Sequence, residues 1–150
     1  MKKFKFSLDK VLLQREIQVD LAQKEFAEAG RIFDQEEKKL EEMKSQKEAA
    51  FLQRQEIVQG STSWTSSVEQ INNFLQGQDL RIKKQNERLL EAIKVVESRR
   101  EILQQAQTEA KMIERLRENK KRAYFKEVSL KEQQEIDELT VIRFGRVDNK

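Results

Sequence analysis

Counted in sevens from Leu12, the chain reads Leu12, Val19, Phe26, Phe33 and Leu40, then turns polar at Lys47 and Arg54. Three residues on, a second series runs Arg15, Ala22, Ala29, Glu36, Met43, Ala50 and Ile57. Beyond residue 67 the pattern resumes more cleanly. Val68, Leu75, Ile82, Leu89, Val96, Leu103 and Ala110 follow at seven-residue steps, accompanied by Ile71, Gln78, Gln85, Ala92, Arg99, Ala106 and Ile113. An apolar stripe at alternating steps of three and four is the mark of a helix that buries one seam against another helix. Two such segments predict an all-α chain, a long antiparallel coiled-coil hairpin with unequal arms.

Between the segments lies GSTSWTSS, residues 60–67, and no charged side chain occurs from Ile57 to Val68. Folding the chain about a point between Thr62 and Ser63 sets Ile57 against Val68, Ala50 against Leu75 and Met43 against Ile82. Ala29 then meets Val96, Ala22 meets Leu103 and Leu12 meets Ile113. Large residues face small ones repeatedly, which fills layers without clash or void. The expected boundaries are one domain over 1–150, with a helix at about 7–58, a turn at 59–66, a helix at about 67–142 and a frayed tail. Gly60 is expected to end the first helix in a left-handed conformation, and Ser7 to cap its start. Ser66 with Glu69, and Ser67 with Gln70, offer capping boxes for the second. Trp64 is expected to cover the apolar end of the hairpin. Three layers are polar: Lys47 faces Gln78, Leu40 faces Gln85 and Glu36 faces Leu89, an arrangement that fixes register at some cost in stability.

Composition removes several classes of function. The chain has no histidine, no cysteine and no proline, and its four glycines are isolated. The commonest general base, the thiol nucleophile and the usual zinc ligands are missing, and no glycine-rich loop is present to cradle phosphate. Carboxylate pairs such as Glu36–Glu37 and Glu41–Glu42 read as solvated faces. The expectation is a protein that is not an enzyme, with no cofactor and no metal. The opening MKKFKF is followed by Asp9, Lys10, Arg15 and Glu16, so neither an export signal nor a membrane span is expected. Lack of cysteine is compatible with a cytoplasmic setting.

The second arm outruns the first. Residues from about 119 to 142 are expected to overhang, as is the segment Met1–Phe6 at the other terminus. The overhang carries Tyr124, Phe125, Val128, Leu130, Ile136, Leu139, Val141, Ile142 and Phe144. Residues 111–126 have a net charge of +5 and residues 127–138 of −4. Apolar residues outside the seam, beside Phe4 and Phe6, suggest a surface for another protein. Nucleic acid is not expected as a partner, because the basic block is followed by acid of similar magnitude. A homo-oligomeric structural coiled coil is the alternative of a different class.

At the termini the chain resembles a known family. Phe4-Lys-Phe6-Ser-Leu8-Asp-Lys-Val11-Leu12-x-x-Arg15, Tyr124-x-x-Glu127 and Glu132-Gln133-x-x-Ile136-Asp137-Glu138 are similar to the ends of FliJ proteins of the flagellar type III export apparatus. The resemblance implies a non-enzymatic stalk. Its terminal end would enter the hexameric export ATPase, FliI, promote ring assembly and couple it to the export gate protein FlhA, with export chaperones as further partners. It implies a cytoplasmic protein held peripherally at the flagellar base, with no direct membrane insertion, monomeric alone and needed for motility. By the same resemblance, Phe6, Leu8, Val11, Leu12, Arg15, Tyr124, Glu132, Gln133, Ile136, Asp137 and Glu138 would contact the ATPase. Phe51, Phe74 and Gln85 would contact the gate. The stalk of a virulence-type secretion system is a close alternative.

Overall fold

The computed structural model describes residues 3–60 and 65–148 of the chain. The fold is all-α: α1 spans Asp9–Gly60 and α2 spans Thr65–Asp148, paired antiparallel. Helices this long follow from composition. No proline interrupts the backbone ladder, and Glu, Lys, Gln, Arg, Leu and Ala lose little entropy in a helix.

The helix ends differ from the expectations. The first bond of helical i to i+4 spacing in α1 runs from the Leu12 N–H to the Leu8 carbonyl at 2.9 Å, which places Leu8 rather than Ser7 at the cap. The Asp9 N–H donates to the Phe6 carbonyl at 3.2 Å, so a backbone turn satisfies a donor that Ser7 was expected to take. Gly60 is helical, and no described glycine has positive φ. Ser66 and Ser67 lie inside α2, which begins at Thr65, so neither occupies a cap. Both helices run past the expected boundaries because Ile57 and Val68, half-buried, still have a seam to fill. Trp64 falls outside the described residues. At the other end α2 reaches Asp148, beyond the boundary near 142 read from the pattern.

The chain divides into two compact units, each a two-helix packing. In the unit Leu21–Gln104, every predicted seam position is buried or half-buried. Ala22, Ala29, Leu40, Ala50 and Leu75 form its apolar core. The most enclosed side chains are polar: Gln78 is 1% exposed and Gln85 is 2% exposed. Gln78 Nε2 donates to the Met43 carbonyl at 2.8 Å and to Gln46 Oε1 at 3.2 Å, while its Oε1 accepts from Arg81 Nε at 2.8 Å. Gln85 Nε2 repeats the pattern one heptad on, donating to the Glu36 carbonyl at 2.9 Å and to the Glu36 carboxylate. Each amide thus takes the spare lone pair of a helix carbonyl on α1, so no polar atom of these layers is left unsatisfied. Ion pairs Lys47–Asp79 at 2.6 Å and Glu25–Arg99 at 3.0 Å, with a hydrogen bond from Arg54 to Asn72 at 2.9 Å, lie within a residue of the predicted register.

The second unit joins residues 1–20 to residues 105–150. Leu12, Arg15 and Val19 of α1 turn toward Ala106, Ala110, Ile113 and Arg117 of α2, all half-buried. Arg15–Glu109 at 2.8 Å and Asp9–Arg117 at 3.4 Å clasp the seam from both sides. Beyond Ile113 the sheltered positions are Arg117, Lys121, Tyr124 and Val128, not Lys120 and Glu127 where a strict heptad would fall. Spacing of four, four, three and four is close to an eleven-residue repeat, which relaxes the left-handed coiling of a heptad seam.

Candidate functional site

Within this unit residues 3–8, before α1, do not overhang, while Met1 and Lys2 lie outside the described residues. Phe6 is 5% exposed, part of the core, and Phe4 is half-buried with its ring 5.7 Å from that of Tyr124. The expectation that Phe4 and Phe6 stand unpartnered is therefore corrected. The reason is geometric: outside a helix each residue advances up to about 3.3 Å rather than 1.5 Å. A few non-helical residues thus reach further along α2 than their number suggests, as far as Tyr124. Tyr124 in turn meets Phe125 edge-on, with centroids 5.6 Å apart. Phe125 itself is exposed.

The sequence-predicted terminal residues separate into two groups. Phe6, Leu8, Val11, Leu12, Arg15 and Tyr124 are buried or half-buried around the α1 start, where they hold the unit together. Arg15 carries an ion pair to Glu109, so its charge is already partnered. Glu132, Gln133, Ile136, Asp137 and Glu138 are exposed on α2, and Ile136 is 56% exposed. Their contacts are local. Gln133 Nε2 donates to Asp137 at 3.2 Å, Thr140 Oγ1 donates to the Ile136 carbonyl at 2.8 Å, and Lys131 pairs with Glu127 at 3.6 Å. Leu130, Leu139, Val141, Ile142 and Phe144 are exposed around them. The end of α2 is thus a single helix with apolar side chains on several sides, set among acids.

The three residues expected at a second contact lie in the other unit and differ in character. Phe51 is exposed, with Lys47 Nζ 5.9 Å and Arg54 Cζ 5.0 Å from its ring centroid. Phe74 is exposed, with Arg81 Cζ 5.4 Å from its centroid. That arginine lies where a Cβ on Gly77 would come 3.2 Å from Nη1, so the bare backbone at Gly77 gives the guanidinium room to cover Phe74 while bonding Gln78. Gln85 is interior and fully engaged with Glu36, so its side chain is not offered to a partner. Beside Phe74 an uncharged depression of about 470 Å³ is lined by Gln46, Ala49, Ala50, Gln53, Gln70 and Ile71.

Among the described residues no group of three or more carboxylates converges to hold a metal ion, and no helix is long and apolar enough to cross a membrane. A hydrogen bond from Arg31 holds the exposed Glu28 carboxyl below its usual range.

No curated protein matches the chain. The solved structure of CT670 from Chlamydia trachomatis, described as a YscO homolog, superposes with a TM-score of 0.72 over 99% of each chain. At 22% identity that likeness is one of fold. The family model described as Flagellar FliJ protein matches residues 4–149, and the chain belongs to the FliJ family.

Proposed function

We propose that the chain is a non-enzymatic stalk of a type III export apparatus, docking through the exposed end of α2 onto the hexameric export ATPase. One observation carries this reading: residues 125–146 present Phe125, Leu130, Ile136, Leu139, Val141, Ile142 and Phe144 on a lone helix. Apolar side chains left bare in this number are a protein contact waiting to form. A single helix is also narrow, about 10–12 Å across with side chains, which suits a central opening in a ring. Glu132, Gln133, Ile136, Asp137 and Glu138 make the direct contact. Phe6, Leu8, Val11, Leu12, Arg15 and Tyr124 act one step back, by holding the start of α1 and the chain before it against α2. In the flagellar setting the ATPase is FliI, promoted to assemble as a ring.

Phe51 and Phe74 are the residues proposed for the export gate, FlhA, each an aromatic ring already covered by a cation. Gln85 supports that contact only by fixing register. Export chaperones are further partners, and the protein works in the cytoplasm, peripherally at the base of the export machine. A virulence-type setting is the second reading, favoured by the likeness to a YscO homolog.

Titrating the protein into the flagellar export ATPase and reading phosphate release tests the proposal. A saturable rise near one copy per six ATPase subunits is expected. No rise with an active flagellar ATPase, but a rise with a virulence-type ATPase, would move the assignment to the second reading. No rise with either sinks the stalk proposal.

A further inference from the structure

The face of α2 turned away from α1 carries a second pattern. Seam positions Ala110, Ile113, Arg117, Lys121 and Tyr124 are half-buried, whereas Met112, Arg115, Leu116, Asn119, Lys120, Arg122, Ala123 and Lys126 are exposed. At 100° per residue all of these but Lys120 fall on the half of the helix opposite the seam, and Lys120 lies on its flank. Met112, 65% exposed, with Leu116 and Ala123 makes a shallow apolar stripe toward one side of it. Arg115, Lys120, Arg122 and Lys126 flank the stripe. None of the four cations has an ion pair among the described residues, in contrast to Arg15 and Arg117 on the seam side. Of the two glutamates of this stretch, Glu114 lies beside the seam and Glu118 at the edge of the face next to Arg122.

We infer that this face adsorbs to an anionic lipid surface. A helix with cations flanking an apolar stripe lies in the plane of a charged bilayer, its basic side chains reaching headgroup phosphates while the stripe meets the interface. Charge favours lipid over a partner helix. Cations without ion pairs along one face match a continuous sheet of headgroup phosphates. A depression of this unit that could take a protein knob lies instead at the seam, lined by Glu16, Val19, Asp20, Gln107, Ala110, Lys111 and Glu114. The stripe is too thin to anchor the chain alone, so adsorption is electrostatic, reversible and salt-dependent. It requires no ATPase and stands or falls separately from the stalk reading.

The test is flotation of the full chain with vesicles of phosphatidylcholine containing roughly one third phosphatidylglycerol, against phosphatidylcholine alone. Binding to the anionic vesicles at about 50 mM salt and its loss near 300 mM are expected, with none to neutral vesicles. Arg115→Gln with Arg122→Gln should weaken binding about thirtyfold. Helix content should hold, because both side chains are exposed. Lys83→Gln with Lys84→Gln, exposed in the other unit, should leave binding unchanged. No binding at low salt, equal loss in both double variants, or displacement by inorganic phosphate overturns the inference. So does tighter binding to single-stranded DNA than to anionic vesicles at the same salt, which would assign the face to nucleic acid.

Discussion

Phe4 packs its ring on Tyr124, centroids 5.7 Å apart and planes inclined by 47°, so the chain before α1 is tied to α2 by an aromatic pair. Phe6, buried beside this tie, makes the same segment part of the core. Aromatic pairs of this geometry contribute about 0.5–1.5 kcal/mol beyond their area. Phe4→Ala should therefore loosen residues before Asp9 while leaving both helices intact. Limited proteolysis should show faster cleavage near Lys3 and Lys5, with far-ultraviolet circular dichroism unchanged. Unaltered cleavage would mean that Phe6 alone holds the segment.

Ile136→Asp probes the exposed end without touching that tie. Ile136 is exposed and its carbonyl is held by Thr140, so the substitution removes an apolar contact surface and little else. Thermal unfolding should shift by no more than the few tenths of a kcal/mol typical of surface changes. Affinity for the export ATPase should fall at least tenfold, read by calorimetry. Normal binding by this variant would exclude Ile136 from the contact. Tyr124→Ala is a poorer probe, because Tyr124 supports Phe4 and any loss of binding would mix contact with support.

Core depth varies along the seam, and truncations should report it. Leu75 is buried whereas Leu103 is half-buried. Leu75→Ala is expected to cost about 2–4 kcal/mol and Leu103→Ala about 1–2 kcal/mol, in urea unfolding of otherwise identical chains. Equal costs would mean that the two layers are packed alike, contrary to their exposure.

Much of the hairpin is legible in the residue pattern. Heptad counting yields both helices and their register, since a seam of period 3.5 can be satisfied only where large residues such as Leu75 meet small ones such as Ala50. The helix ends are not legible in the same way. Gly60, Ser66 and Ser67 have cap chemistry, but seam contacts on either side keep those residues helical, and tertiary packing outweighs local propensity. Phe6 is misplaced when a helical rise is applied to residues that are not helical. The face of Met112, Leu116, Arg115 and Arg122 is readable from spacing alone, but net charge by blocks hides it. Charge summed along a sequence says nothing about which side of a helix it lies on.

The buried glutamines are the sharpest test of how this sequence chooses one register. Gln78 donates to the Met43 carbonyl and Gln85 to the Glu36 carbonyl, an identical arrangement repeated one heptad apart. Replacing both by leucine removes the amides without stranding their partners, because the Met43 and Glu36 carbonyls keep their intrahelical bonds. Gln46, Arg81 and Glu36 can turn to water. Buried polar networks replaced by apolar side chains of similar volume are often neutral or stabilising, so the double leucine variant should unfold at equal or higher urea. Specificity should suffer instead, because an all-apolar seam tolerates a slide of one heptad, about 10 Å along the axis. The chain has no native cysteine, so cysteines introduced at Lys44 and Lys83 can carry spin labels at two defined sites. Wild-type protein should give one narrow distance distribution, and the double leucine variant a second component at longer distance, because an axial slide of about 10 Å adds in quadrature to the separation across the seam. A single unchanged distance in the variant would show that the turn and the apolar layers suffice for register, leaving the two glutamines no part in it.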